Sequence, residues 1–175
     1  MMTRHLITSL IMALALNIGT SSAQTPSERE GLEKAMQTLL TATIARDIEG
    51  IMAFTPPRKM QAVAREMGKP LDEAKADLAQ IGRDQDAKNG IRVIAGEYDI
   101  DQVRFGVTRE GRKYAFLPYA RTFEQDGRRL ELTYPALALM DKGKWYVVPL
   151  SDSRILPDMQ QLYPDLEGIS VPESR

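Results

Sequence analysis

The sequence predicts an α+β domain, with helices packed on a curved four-stranded antiparallel meander. Apolar residues recur at helical spacing up to about residue 90 and alternate beyond it. Ten of the eleven aromatic residues lie after Ile91. The later segments are joined by short turn signals, the mark of neighbouring antiparallel strands. Helices first and sheet afterwards is an α+β order.

Thr25-Pro26-Ser27-Glu28 opens the first helix: Thr25 caps it, Pro26 takes the first helical position and Glu28 completes a capping box. Leu32, Met36, Leu39 and Thr43 then fall on one face, to about Arg46. A short second helix over 47–54 ends at Thr55-Pro56-Pro57. Pro57 opens a third, with Met60, Val63, Ala64 and Met67 on one stripe and Gly68 as its stop. Pro70 opens a fourth, with Leu71, Ala74, Leu78 and Ile81 on its expected buried face, ending by about Gly90.

Strands are expected over 91–107, 112–124, 128–140 and 144–150. The first slips phase between Ile100 and Val103 and is interrupted by Gly96, which predicts a bulge or kink. Asp126-Gly127 is the signal of a tight primed hairpin. A short helix over 157–163 and an extended tail complete the chain. Both faces of the second and third strands are partly apolar. A monomer commonly leaves one face of such a sheet polar, so the second face calls for cover by the tail or by another subunit.

The N-terminus reads as a secretory signal peptide over 1–23. Arg4 and His5 precede an apolar run from Leu6 to Ile18, and Ser21 and Ala23 suit cleavage before Gln24. The run is shorter than the roughly 20 residues a membrane-spanning helix needs. A single domain over 24–175, periplasmic or secreted and without a membrane span after cleavage, is the expectation. Without Arg4 the chain carries 22 Lys and Arg against 24 Asp and Glu. No basic run stands out beyond Arg128-Arg129, which argues against nucleic-acid binding.

There is no cysteine, and the only histidine is His5, within the expected signal peptide. The mature chain would therefore lack the side chains of Ser-His-Asp and Cys-His catalysis and of ordinary zinc, copper or haem ligation. No cofactor is expected. The segment from Asp84 to Gly90 fails as a calcium loop: Lys88 stands where an oxygen ligand belongs, and Ala95 where the last acid belongs.

Asp47-Ile48-Glu49-Gly50 before Phe54-Thr55-Pro56, then Leu117-Pro118-Tyr119, Gly143-Lys144-Trp145 and Leu162-Tyr163-Pro164-Asp165-Leu166 occur in that order. Together with helices followed by a long-stranded meander, they resemble small exported bacterial proteins of the nuclear transport factor 2-like, or cystatin-like, superfamily. The resemblance implies a curved sheet closing over helices as a cone with a pocket. The superfamily hosts enzymes, binders and interaction modules, so it does not decide function.

Two functional classes follow. One is a non-catalytic binding or interaction module, holding a small apolar ligand in the cone or meeting a protein partner or a second copy through the sheet face. The alternative is a cofactor-free acid-base enzyme, isomerase- or dehydratase-like, using Asp and Tyr. That needs a carboxylate in an apolar cavity beside a phenol. Tyr98, Tyr119 and Tyr134 are available, but Asp99 and Asp101 read as solvent-facing, and no catalytic residue is assigned. The candidate ligand-binding residues are Tyr119, Arg121, Tyr134 and Trp145. Arg121 shares a strand face with Tyr119 and Phe123. On a concave face its guanidinium would pair with a ligand carboxylate or phosphate; on a convex one it is a solvated rim residue. Trp145 reads first as a core anchor and second as a stacking surface. Met36, Met52, Met60 and Met67 read as core before cavity lining.

Overall fold

In the computed structural model, which describes residues 25–172, α1 (Pro26–Ala45) begins where Thr25 and Glu28 predict it. The Glu28 carboxylate accepts the Thr25 N–H at 3.3 Å. Pro26 sits at the first helical position, where its missing N–H would have no intrahelical partner. Arg46, left-handed at φ 59°, ends the helix. Asp47 caps α2 (Ile48–Met52), its carboxylate accepting the Gly50 N–H at 2.9 Å. Prolines open α3 (Pro57–Glu66) and α4 (Leu71–Asn89). The signal peptide expected over 1–23 and the cut before Gln24 lie outside the described residues. No helix among the described residues is long and apolar enough to cross a membrane.

The buried face of α4 differs from the expected one. Ala74 is sealed, but Ile81 is 46% exposed and Ala79 is buried instead. The cause is steric. Ile48 of α2 lies against Gly82, where a β-carbon would meet it at 3.1 Å, so the small residues of α4 face the neighbouring helix.

One antiparallel sheet contains β1 (Arg92–Tyr98), β2 (Arg104–Val107), β3 (Lys113–Gln125), β4 (Arg128–Asp141) and β5 (Lys144–Pro149). It keeps the four lanes of a meander, because β1 and β2 lie end to end along the same edge of β3. The single strand expected over 91–107 is thus divided. Its phase slip is a 3₁₀ turn, Ile100–Gln102, whose N–H groups at Asp101 and Gln102 are held by the Asp99 carboxylate. A second irregularity falls between Val93 and Ala95. Asp126-Gly127 and Lys142-Gly143 form the two tight hairpins, all four residues at positive φ.

Residue parity divides the sheet into two faces. Leu117, Tyr119, Ala136, Ala138, Trp145 and Val147 pack against Leu32, Met36 and Leu39 of α1. α1 touches both outer lanes, β1 and β5, so the sheet curls round the helix as a half-barrel and this face is concave. The convex face has a core of its own. Phe116, Leu137, Leu139 and Val148 lie under α5 (Ile155–Leu162) and a 3₁₀ turn, Pro164–Leu166. Of the two covers the sequence left open for this face, the structure uses the C-terminal segment. That segment is not simply extended: its 3₁₀ turn brings Asp165 to 2.6 Å from Arg112 Nε, and the Thr108 hydroxyl donates to the same carboxylate at 3.3 Å. At the free edge of β5, the Val147 N–H donates to the Phe54 carbonyl at 3.1 Å and the Lys144 ammonium to that of Ala53 at 2.8 Å.

Candidate functional site on the concave face

The two-residue turn at Asp126-Gly127 fixes the register of β3 against β4. It sets Tyr119 opposite Tyr134, Arg121 opposite Leu132 and Phe123 opposite Leu130. All six side chains share the parity of the concave face. α1 covers the proximal part of that face and ends at Ala45. Tyr119 is sealed, whereas Leu132 is 43% and Leu130 58% exposed. Beyond the helix end lies an open groove of about 840 Å³, with Ile91, Phe123, Leu130 and Leu132 as its apolar lining and the polar tip of the β3–β4 hairpin as its rim.

Arg121 borders this groove through Phe123 and Leu132. Its guanidinium carbon lies 5.2 Å from the ring centres of Phe123 and Tyr134 and 5.6 Å from that of Tyr119. Rings at this range attract a cation through their negative faces. Tyr119 and Tyr134 are themselves edge to face, 5.8 Å apart. The Arg121 Nε–H donates to the Tyr134 hydroxyl oxygen. Among the described residues no carboxylate lies within ion-pair distance of Arg121, and its two terminal nitrogens have no protein acceptor. Nor are these nitrogens sealed: the only buried, unpartnered side-chain nitrogen or oxygen among the described residues is Trp145 Nε1.

Burial pushes the phenols of Tyr119 and Tyr134 above the ordinary tyrosine value, while the positive charge of Arg121 pulls both the other way. Both are neutral at pH 7. The Tyr134 oxygen accepts from Arg121, and its own proton remains to be donated. The arrangement is chemically one half of an anion site: a planar cation with a free fork, a hydroxyl beside it and an apolar channel leading away.

Three of the four sequence candidates, Tyr119, Arg121 and Tyr134, come together here. Trp145 does not join them. It is 4% exposed, stacks edge to face with Phe105 at 6.1 Å and lies beneath Gly31 of α1. Leu130 and Leu132 belong to a strand whose two faces the sequence shows only as partly apolar, and that pattern does not mark that α1 stops short of them. The signal was present, since the helical stripe ends at Thr43 while both strands run on past Tyr119 and Tyr134. Met36 and Met60 are core residues.

Of the residues considered for acid-base chemistry, Asp99, Asp101 and Tyr98 are occupied elsewhere. Asp99 caps the 3₁₀ turn, and its carboxyl is held below the ordinary range by the Gln102 side chain and the Asp101 N–H. Asp101 pairs with Arg29, and the Tyr98 hydroxyl donates to the Glu33 carbonyl at 3.4 Å. A second depression, about 570 Å³ between α3 and α5, contains Arg58, Arg65 and Lys69. Arg58 already donates to the Leu162 carbonyl and Lys69 to Asp77.

No protein-family model matches the chain, and no curated protein matches it. Among solved structures it is similar to Aln2 from a Streptomyces species, with 10% identity over 71% of this chain and 88% of that one, at a TM-score of 0.45. This is a distant likeness and bears on neither the site nor its function.

Proposed function

We propose that the chain is an exported, non-catalytic binding module of the nuclear transport factor 2-like type, which holds a small apolar ligand in the distal groove of its concave face. The observation that carries this reading is the uncovered apolar surface itself. Ile91, Leu130 and Leu132 are each at least 40% exposed and line one concavity with Phe123, within the size range of small-molecule sites. Export rests on the N-terminal apolar run and its small-residue end. The binding reading gains further support from the tyrosines, none of which hydrogen-bonds a carboxylate among the described residues.

The test is an NMR titration of residues 24–175 with 1-decanol, a neutral apolar probe. Amide shifts should change at Ile91, Phe123, Leu130 and Leu132 and saturate. No saturable change, or changes confined to the helices, would remove the reading.

A further inference from the structure

We infer that the ligand is an anionic amphiphile, a carboxylate on an apolar chain, with Arg121 as its head-group residue; this rests on the groove reading above. Arg121 is a half-buried cation that the fold surrounds with three rings and, among the described residues, leaves without a counter-charge. Its terminal nitrogens are open to water, which a ligand anion can displace by making the same hydrogen bonds. Its Nε is committed to Tyr134, which fixes the guanidinium plane. The terminal nitrogens are the free fork, the geometry that takes a carboxylate with two parallel hydrogen bonds. The Tyr134 proton is a third donor. At the head end one cation beside neutral phenols matches one negative charge, which favours a carboxylate over a dianionic phosphate; Arg128 and Arg129 stand at the far, rim end of the groove.

The chain of the ligand has a defined path. From the Arg121–Leu132 pair the concave face continues through Phe123–Leu130 to Gln125–Arg128 at the hairpin tip. Four residues of strand span on the order of 13 Å. Its floor is apolar through Leu132, Phe123 and Leu130 and polar at the Gln125–Arg128 tip, so a head at Arg121 directs an alkyl chain outward along Leu132, Phe123 and Leu130.

Calorimetry with three probes of equal tail, decanoate, 1-decanol and decylamine, separates the ideas at pH 7 and below micellar concentrations. Decanoate should bind about tenfold more tightly than decanol, the worth of one charge-assisted pair, and decylamine more weakly than decanol. Arg121→Met should remove the preference for decanoate, so that decanoate and decanol bind that variant alike. Arg121→Lys keeps a cation among the rings but loses the fork, and should give up part of the preference; it carries the same comparison if Arg121→Met does not fold. Equal binding of decanoate and decanol overturns the carboxylate assignment while the groove reading stands. Binding of none of the three overturns both.

Discussion

The Arg112 guanidinium and the Asp165 carboxylate join the C-terminal cover to the sheet, Nε to Oδ2 at 2.6 Å, with the Asp165 side chain only 2% exposed. Arg112 also donates to the Met140 carbonyl at 3.1 Å and lies 4.9 Å from the centre of the Tyr163 ring. One cation thus touches the β2–β3 turn, the end of β4 and the cover.

Asp165→Ala leaves that cation without its closest counter-charge. Breaking a buried pair from one side costs about 3 kcal/mol. Urea unfolding should show a loss of that size. A change under about 1 kcal/mol, the range of exposed pairs, would mean that apolar burial alone holds the cover.

Gly96→Ala tests the fit of α1 inside the half-barrel. A β-carbon there would sit 2.5 Å from Leu40 Cδ1 and 3.2 Å from the Ala120 carbonyl oxygen. The leucine end can rotate away, but the neighbouring strand cannot. Overpacking of this kind costs about 1–3 kcal/mol, read as a lower melting temperature. An unchanged melt would put α1 farther from β1 than described.

The boxed arginine makes a prediction at alkaline pH. Burial raises the Tyr134 phenol above its ordinary value of 10.0, and Arg121 opposes that rise. Its folded value being the higher one, Tyr134 contributes stability that is whole below pH 10.0 and is lost as pH climbs through the folded value. Removing the cation in Arg121→Met therefore moves the phenol further up. Tyrosinate absorbance, with Tyr134→Phe identifying the component, should shift to higher pH in the variant. A downward shift would contradict the contact.

At the acid end the sign reverses. The Lys113 side chain holds the Glu28 carboxyl below its ordinary 4.5. That contribution is present above pH 4.5 and fades as pH falls through the lowered folded value. Glu28→Gln should be less stable than the parent at neutral pH, and the gap should close as pH falls through the lowered folded value. A stability gap that stays constant with pH would assign Glu28 a purely capping role.

Local chemistry was legible in the sequence where a few neighbouring residues decide the outcome. Thr25, Pro26 and Glu28 fix the start of α1, and Asp126-Gly127 fixes both a hairpin and its register. That register alone sets Tyr119 opposite Tyr134 and Arg121 opposite Leu132, so most of the aromatic box follows from strand pairing. The concave side does not, because it depends on α1 meeting both outer lanes, a relation between residues far apart in the chain. The groove shares that limit: Leu130 and Leu132 are ordinary strand leucines until the helix ends short of them. Ile81 was misplaced for a similar reason. Periodicity marks a face of α4, but only the approach of Ile48 decides which face is buried.

The loop hydrogen-bonded along β5 has a consequence for how these molecules meet in a crowded solution. A strand with unpaired backbone groups is a template on which another chain can add, and natural sheets shield such borders. Phe54 occupies part of that border on β5 through the Val147 N–H, and the Lys144 ammonium holds the adjoining Ala53 carbonyl. On the opposite side, the 3₁₀ turn at Ile100–Gln102 cuts the line into two short pieces out of continuous alignment. Lateral polymerisation is therefore resisted at both ends of the sheet by different devices, and removing either one should show first as fibre or aggregate formation rather than as loss of fold.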